Sequence, residues 1–456
     1  MISRLQKLIL NLLYIYEVNK TSIIEGLTFS NKYVLILKSF NYHLILMKSI
    51  CSAIFLLLFI FLFSCKKDPV TPTPIDQNKT YTVTVHEGFG SGTYKAGDTV
   101  QIWSRNVTTT ETFLAWTGDT LSIKDRNEWH SWFIMPANNI VLTATFMAVN
   151  FTMQYEKIKG AVNLKNVYYV FPVNHKGIVY LFHGSNGSAT YWTKNYENYS
   201  LVKDLVADGF AVIITEAEEV TLNNDTNGDG SFRWVTSTID STTNIDFANL
   251  KAITDTFYQR NYSNRSIPRY CIGQSNGGSC SISFGYCFKL KACVAYCASG
   301  GATGGAVSST TTPTMFCLQG ADNNSVMGLS GNANAISNSQ AISRRGFCSK
   351  YFVNPASPLY ENRFARNTII SSSLSTQIFN EIKNNNLLTS KNYMKVYAKD
   401  LWSAVSSSSS RFPVIAALST DQKAVVDEQI SCVAADHQFY SDNNKSSIKF
   451  LNNQCQ

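Results

Sequence analysis

The stretch Pro268-Arg-Tyr-Cys-Ile-Gly-Gln-Ser-Asn-Gly-Gly278, with residues 279–288 behind it, decides the reading of this chain. Residues 268–272 are largely apolar and read as a buried strand, and residues 279–288 carry a helical pattern. Between them lies G-x-S-x-G, extended by a further glycine at 278. Glycines flanking a serine permit a tight strand-to-helix turn that lifts the hydroxyl above the sheet. The helix start beneath it offers backbone N–H groups and a positive dipole end to developing negative charge. A Gly/Ser turn that merely joins strand to helix has the same letters. The strand, the helix and the partners found further along favour an activated serine at Ser275.

Such a serine needs a base and an acid. The six histidines are His43, His86, His130, His175, His183 and His437, and only the last lies beyond Ser275. In the chain order serine, acid, histidine, His437 is therefore the base toward Ser275 and afterwards the acid toward the leaving group. Carboxylates beyond Ser275 include Asp322, Glu361, Glu381, Asp400, Asp421, Asp427, Glu428 and Asp436. Asp322 follows the strand-like residues 313–319 and so sits at a strand's C-terminal edge, where sites gather in open α/β sheets. Asp400 is the alternative, on the reading that residues 393–399 form a strand. A turn or helix N-cap is the plain structural role for Asp322. His437 itself lies in helix-compatible residues 427–440, with no clear strand before it.

Around this centre, strand-like runs at 167–173, 177–183, 211–215 and 292–298 alternate with helical patterns at 201–208 and 246–258, the signature of an α/β architecture. Leu181-Phe-His-Gly-Ser185 resembles the His-Gly loop after the third strand of α/β-hydrolases. With it, residues 150–456 resemble an α/β-hydrolase: a mostly parallel sheet with helices on both faces. In style they resemble secreted esterases of the polyhydroxybutyrate depolymerase and feruloyl or acetylxylan esterase kind, on the strength of the Ser-Asn-Gly-Gly elbow. The resemblance implies a Ser275–His437–Asp322 triad. Its oxyanion N–H groups would come from Asn276 and from Ser185 or Gly184, with His183 shaping the loop. It also implies an ester substrate, polysaccharide-linked or polymeric, and no required cofactor. A peptidase of the same fold and a non-catalytic surface-binding protein are the competing readings.

Asn224-Asp-Thr-Asn-Gly-Asp-Gly230 contains the first half of an EF-hand-like calcium loop, with Asp225, Asn227 and Asp229 as candidate oxygen ligands. Thr236 stands where the bidentate glutamate belongs, so the segment is either a structural calcium site or an exposed Asn/Gly/Asp turn. Residues 299–312 and 406–410 are glycine-, serine- and threonine-rich loops, the first placed to line a cleft.

Residues 80–148 alternate in period two between glycines, which predicts a small all-β module ahead of the α/β part. Gly90-Ser-Gly-Thr-Tyr-Lys-Ala-Gly-Asp98, Phe113-Leu-Ala-Trp-Thr-Gly-Asp119 and Phe133-Ile-Met-Pro-Ala137 resemble bacterial cell-surface repeats of the internalin B-repeat type. Trp103, Trp116, Trp129 and Trp132 serve either as core or as a platform for stacking sugars.

Upstream, Ile50 to Phe63 is almost wholly apolar, shorter than the roughly 20 residues of a membrane span and of signal-peptide length. It ends in Leu62-Phe-Ser-Cys65, which resembles the lipobox of bacterial lipoprotein precursors. The resemblance implies lipidation of Cys65 and attachment at an outer-membrane, periplasmic or cell-surface site. Residues 47–64 are then the signal, 65–79 a tether, and 1–46 an upstream extension absent from the mature protein.

Half of the net charge of +8 lies in residues 1–64, where six Lys/Arg face two Glu. No basic run follows, which excludes a phosphate-tracking nucleic-acid partner. With 45% hydrophobic and 15% charged residues the chain is globular rather than disordered. Nine of the eleven cysteines lie between Cys271 and Cys455, with no C-x-x-C pair. Export permits disulfides among them, while Cys271, Cys293, Cys297 and Cys317 read as small core residues.

Overall fold

Period-two alternation and glycine turns resolve into seven short strands in the computed structural model, which describes residues 79–300 and 306–456. The extension, the signal, Cys65 and the tether up to residue 78 lie outside the described residues, as do residues 301–305 of the cleft-side loop. The strands are β1 (Thr80–His86), β2 (Gly88–Phe89), β3 (Gly92–Lys95), β4 (Thr99–Ser104), β5 (Glu111–Gly118), β6 (His130–Ile134) and β7 (Ile140–Ala148). One sheet has the order β3-β1-β7-β5 and the other β2-β4-β6. Their shared core includes Val83, Ile102, Trp116, Phe133 and Leu142.

A sugar platform needs exposed ring faces, and the module does not leave them. Trp116 is fully buried, and Trp103 and Trp129 are each 6% exposed. Trp103 stacks between Tyr360 and His130, with centroids at 4.6 and 5.3 Å. The face of Trp129 is covered by the Arg366 guanidinium at 3.5 Å. Of the four, Trp132 alone is half-buried, so of the two readings the structure favours core, with Trp103 and Trp129 also at the interface.

The larger sheet comprises β8 (Gln154–Lys159), β9 (Leu164–Val170), β10 (Gly177–Phe182), β11 (Phe210–Ile214), β12 (Arg269–Gln274), β13 (Ala292–Tyr296), β14 (Thr314–Gln319) and β15 (Ser349–Asn354). Its order is β8-β9-β11-β10-β12-β13-β14-β15. β9 runs antiparallel to both neighbours, and pairing is parallel from β11 through β15. Every residue of β10 to β14 except Arg269 is buried, the continuous apolar reading expected of strands covered on both faces. Alternate side chains divide between two cores. Ile178, Tyr180 and Phe182 pack with Phe247 and Phe257 of the helix Ile245–Gln259 and with Phe284 of the helix Asn276–Cys287. Val179 and Leu181 pack with Leu201 and Leu205 of the helix Tyr196–Ala207 and with Leu451 of the helix Asn444–Asn453. Helices therefore cover both faces.

β15 is an edge strand whose side chains are mostly exposed, and its Ser-Lys-Tyr-Phe-Val-Asn sequence carries no buried stripe to announce it. Between it and His437 lies a helical insertion with its own core, including Phe364, Ile378, Leu401 and Ile430. The strand expected at 393–399 is not formed. A single antiparallel bridge joins Leu388 to Met394, and the helix Ala398–Ser407 follows. Cys348 and Cys455 form a disulfide, with Cα atoms 5.7 Å apart. Cys271, Cys293, Cys297 and Cys317 are buried free thiols in or beside the strands. Among the described residues no helix is long and apolar enough to cross a membrane.

Candidate active site

Ser275 follows β12 and caps the helix Asn276–Cys287 with φ 56° and ψ −123°. A non-glycine residue held there costs on the order of 1–3 kcal/mol, which the surrounding structure must offset. The turn is tight enough to dictate its neighbours. A Cβ on Gly273 would lie 2.0 Å from the Gly277 carbonyl oxygen, and one on Gly277 would lie 2.4 Å from the carbonyl oxygens of both Phe182 and His183. The Ser275 N–H donates to the Tyr296 carbonyl at 2.8 Å, tying the elbow to β13.

His437 lies in the irregular segment between the helices Thr420–Val433 and Asn444–Asn453, not within a helix. Its Nε2 is 2.9 Å from Ser275 Oγ, and its Nδ1 is 2.7 Å from Asp322 Oδ2. Asp322 follows β14 directly, and its side chain is completely shielded from solvent. Its other oxygen accepts the Asn324 N–H at 3.0 Å. Asp400, the alternative acid, sits in the first turn of a helix and accepts the Tyr397 N–H at 3.3 Å, with no contact to His437. Asp436, one of eight candidates on sequence, has a separate task. Its Oδ1 accepts the N–H groups of His437 at 2.7 Å and Asn323 at 3.0 Å, so it latches the histidine segment to the Asp322 loop.

Among the described residues, the backbone N–H groups of Ser185 and Asn276 have no acceptor, and both residues line the cleft beside Ser275. Gly184 lies there too, close enough that a Cβ would meet Gln274 Oε1 at 2.4 Å. The Asn276 side chain points away and brackets Trp234, accepting its N–H at 2.8 Å and donating to its carbonyl at 3.3 Å. This bracket was not legible in sequence, since the two residues are 42 positions apart. His183 is fully buried behind the loop. Its Nε2 accepts the Ala217 N–H at 3.1 Å, so Nδ1 carries the proton and donates to the Gly184 carbonyl at 2.6 Å. Burial pushes its pKa down to about 4, which keeps the ring neutral.

The cleft holds about 570 Å³ and is lined by Ser185, Tyr191, Arg233, Ser275, Met327 and His437, among others. The Cys297 thiol lies within 4.8 Å of the facing Asp322 and His437 atoms. Burial, reinforced by the nearby Asp322 charge, raises its pKa well above the usual thiol value, so it stands there as a neutral thiol donating to the Gln438 carbonyl at 3.4 Å. At 225–230 the carboxylates are already engaged. Asp225 accepts from Gly228 and Gly230 at 2.8 and 2.7 Å, Asn227 Oδ1 accepts from Asp229 at 2.9 Å, and Asp229 pairs with Arg233 at 3.2 Å. The loop is folded by its own amides and a guanidinium, and Thr236 stands where the bidentate glutamate of such a calcium loop belongs.

No family model matches the chain, and no curated protein does. Solved structures resemble it loosely. The dienelactone hydrolase of Anabaena variabilis is 18% identical over 50% of this chain and 98% of its own, with a TM-score of 0.36. A Pyrococcus furiosus esterase is 13% identical over 45% and 84%, with a TM-score of 0.33. A Butyrivibrio proteoclasticus protein solved with ferulic acid bound is 14% identical over 44% and 89%, with a TM-score of 0.32. Scores this low carry no argument about this chain, whose fold rests on its own geometry. The strand order, the elbow after β12 and the mostly parallel sheet between two helical layers make that fold an α/β-hydrolase.

Proposed function

We propose that this protein is an exported serine hydrolase that cleaves carboxylic esters through an acyl-enzyme, with Ser275, His437 and Asp322 as its triad. The observation that carries the reading is the continuous hydrogen-bonded path from Ser275 Oγ to His437 at 2.9 Å and on to Asp322 at 2.7 Å. Ser275 Oγ attacks the ester carbonyl as His437 Nε2 takes its proton, and Asp322 steadies the imidazolium. The tetrahedral oxyanion falls to the Asn276 and Ser185 N–H groups, with Gly184 giving the loop its close approach. His437 then protonates the departing alcohol. Water enters, gives a proton to His437 and its oxygen to the acyl carbon, and Ser275 leaves with that proton restored.

An open cleft beside the serine suits an ester carried on a polysaccharide or a polyester. The Cys348–Cys455 disulfide favours an oxidising compartment, in keeping with export and a Cys65 lipid anchor at a bacterial membrane or cell surface. The chemistry requires no cofactor. The test is fluorophosphonate labelling of the full-length chain beside Ser275→Ala and His437→Ala. Labelling of the wild type that disappears in both variants is expected, and a folded wild type that never labels removes the hydrolase mechanism.

A further inference from the structure

The β module reaches the segment that carries His437, and its grip there is specific. The helix Asn444–Asn453 begins seven residues beyond the histidine, and the Asn443 side chain at its N-cap makes no capping hydrogen bond. Glu128, on the loop before β6, supplies the cap from 318 residues away. Its Oε1 accepts the Ser446 N–H at 2.8 Å and its Oε2 the Lys445 N–H at 3.3 Å. The Trp116 Nε1–H in turn holds the Glu128 backbone carbonyl at 3.0 Å, which anchors that residue's main chain. Next in the module, His130 Nδ1 lies 2.7 Å from Asp442 Oδ2, while its Nε2 faces Gln101 Oε1 at 2.9 Å.

A second path converges on the same segment. Trp129 covers the Arg366 guanidinium, whose Nε donates to Glu197 Oε1 at 3.0 Å and whose terminal nitrogen donates to Ser441 Oγ at 3.3 Å. Glu197 also accepts the Ser441 N–H at 3.3 Å. Thr112 donates to Asp204, and that carboxylate accepts from Asn444 Nδ2 and Lys445 Nζ, each at 2.8 Å. Phe439 and Tyr440 enter the sheet's core, so the module acts on the chain just past them. Ser441, Asp442, Asn444, Lys445 and Ser446 are thus held by groups that belong to the module or lie under it.

We infer that the β module is a clamp on the histidine-bearing segment, with Glu128 and His130 as positioning residues for His437. The inference rests on the hydrolase reading for its effect on rate, though the clamp itself is a property of the fold. A displacement of about 1 Å in a catalytic group can cost on the order of a hundredfold. Its contacts make the module part of the catalytic scaffold rather than a separate binding unit.

The test compares Glu128→Ala and His130→Ala in the full-length chain with Asn106→Ala. Asn106 joins the same interface, through the Ala365 carbonyl at 2.8 Å, without touching the histidine segment. With p-nitrophenyl acetate, kcat should fall tenfold or more in the first two variants while KM stays within twofold, and Asn106→Ala should keep wild-type kcat. Glu128→Gln, which retains one acceptor oxygen, should recover part of the loss and stands in if Glu128→Ala does not fold. Amide exchange should rise at residues 438–446 in the clamp variants, a readout that needs no catalysis. Unchanged kcat and unchanged exchange in folded Glu128→Ala and His130→Ala overturn the clamp, as does an equal loss in Asn106→Ala. A wild type that hydrolyses nothing, with exchange still responding at 438–446, overturns the hydrolase reading and leaves the clamp standing.

Discussion

Asp322 and Asp436 flank His437 with different duties, and conservative changes should separate them. Asp322 faces Nδ1 of the ring, so Asp322→Asn disturbs the tautomer and the imidazolium together. A kcat lower by about 10³- to 10⁴-fold is expected for ester hydrolysis. Asp436 accepts only backbone N–H groups, which an amide oxygen also does, so Asp436→Asn should stay within about tenfold of wild type. Equal losses in the two would remove the distinction. His183 supplies a test of a different kind. Its folded pKa of about 4 lies below the usual 6.5, so the unfolded chain binds the proton first as pH falls. Its stabilising share is present above pH 6.5 and is lost between there and pH 4, about 2 kcal/mol of it by pH 5. Urea unfolding at pH 7.5 and 5.0 should show that slope in wild type and a flatter one in His183→Gln. Ser275 and His437 were legible in sequence because an elbow needs its glycines and a single histidine followed it. Asp436 was one carboxylate among eight, since its partners are backbone groups that no side-chain pattern encodes.

At the level of elements, the strands of the large sheet buried on both faces were readable and its exposed edge strands, β8 and β15, were not. β10 to β14 are largely apolar and buried except at Arg269, whereas β15 hides its strand character behind Lys350 and mostly exposed neighbours. The helical insertion fills the space between β15 and His437 with a core of its own, which is why no final strand was visible just before the histidine. The disulfide joins the residue before β15 to the chain's end across 107 residues. Removing it with Cys348→Ser and Cys455→Ser should cost about 2–5 kcal/mol by denaturant titration. A loss below experimental error would mean that pairing adds nothing to the anchoring of this edge. The 225–230 loop was legible as a turn with a cation-like spacing, but Arg233 was not visible as the partner of Asp229. Calcium and EDTA should accordingly give the same melting temperature. A clear rise with calcium would show that the ion displaces Arg233 and orders the loop itself.

Across the whole molecule, the module and the α/β part share buried material. Tyr360, from the segment after β15, belongs to the module's own core, and Lys203 reaches from the sheet's helical layer to the Thr108 and Glu111 carbonyls at 2.8 and 2.9 Å. Burial lowers the Lys203 pKa to about 8, so this tie is made by a cation that pays a desolvation penalty and has two carbonyls to offset it. The described residues form one compact unit. Sequence texture suggested a boundary near residue 149, because the period changes there, and periodicity reports local pairing rather than what the paired elements later bury. If the shared core governs cooperativity, the two parts unfold together. Four of the seven tryptophans are in the module, so fluorescence reports chiefly on it, while far-ultraviolet dichroism near 222 nm reports on α-helices, which among the described residues all lie beyond the module. Urea transitions followed by the two signals should coincide in midpoint and slope. A fluorescence transition at lower urea than the loss of helix would mean that the module melts from an intact α/β layer, and the buried ties at Tyr360 and Lys203 would then contribute little to holding the parts together.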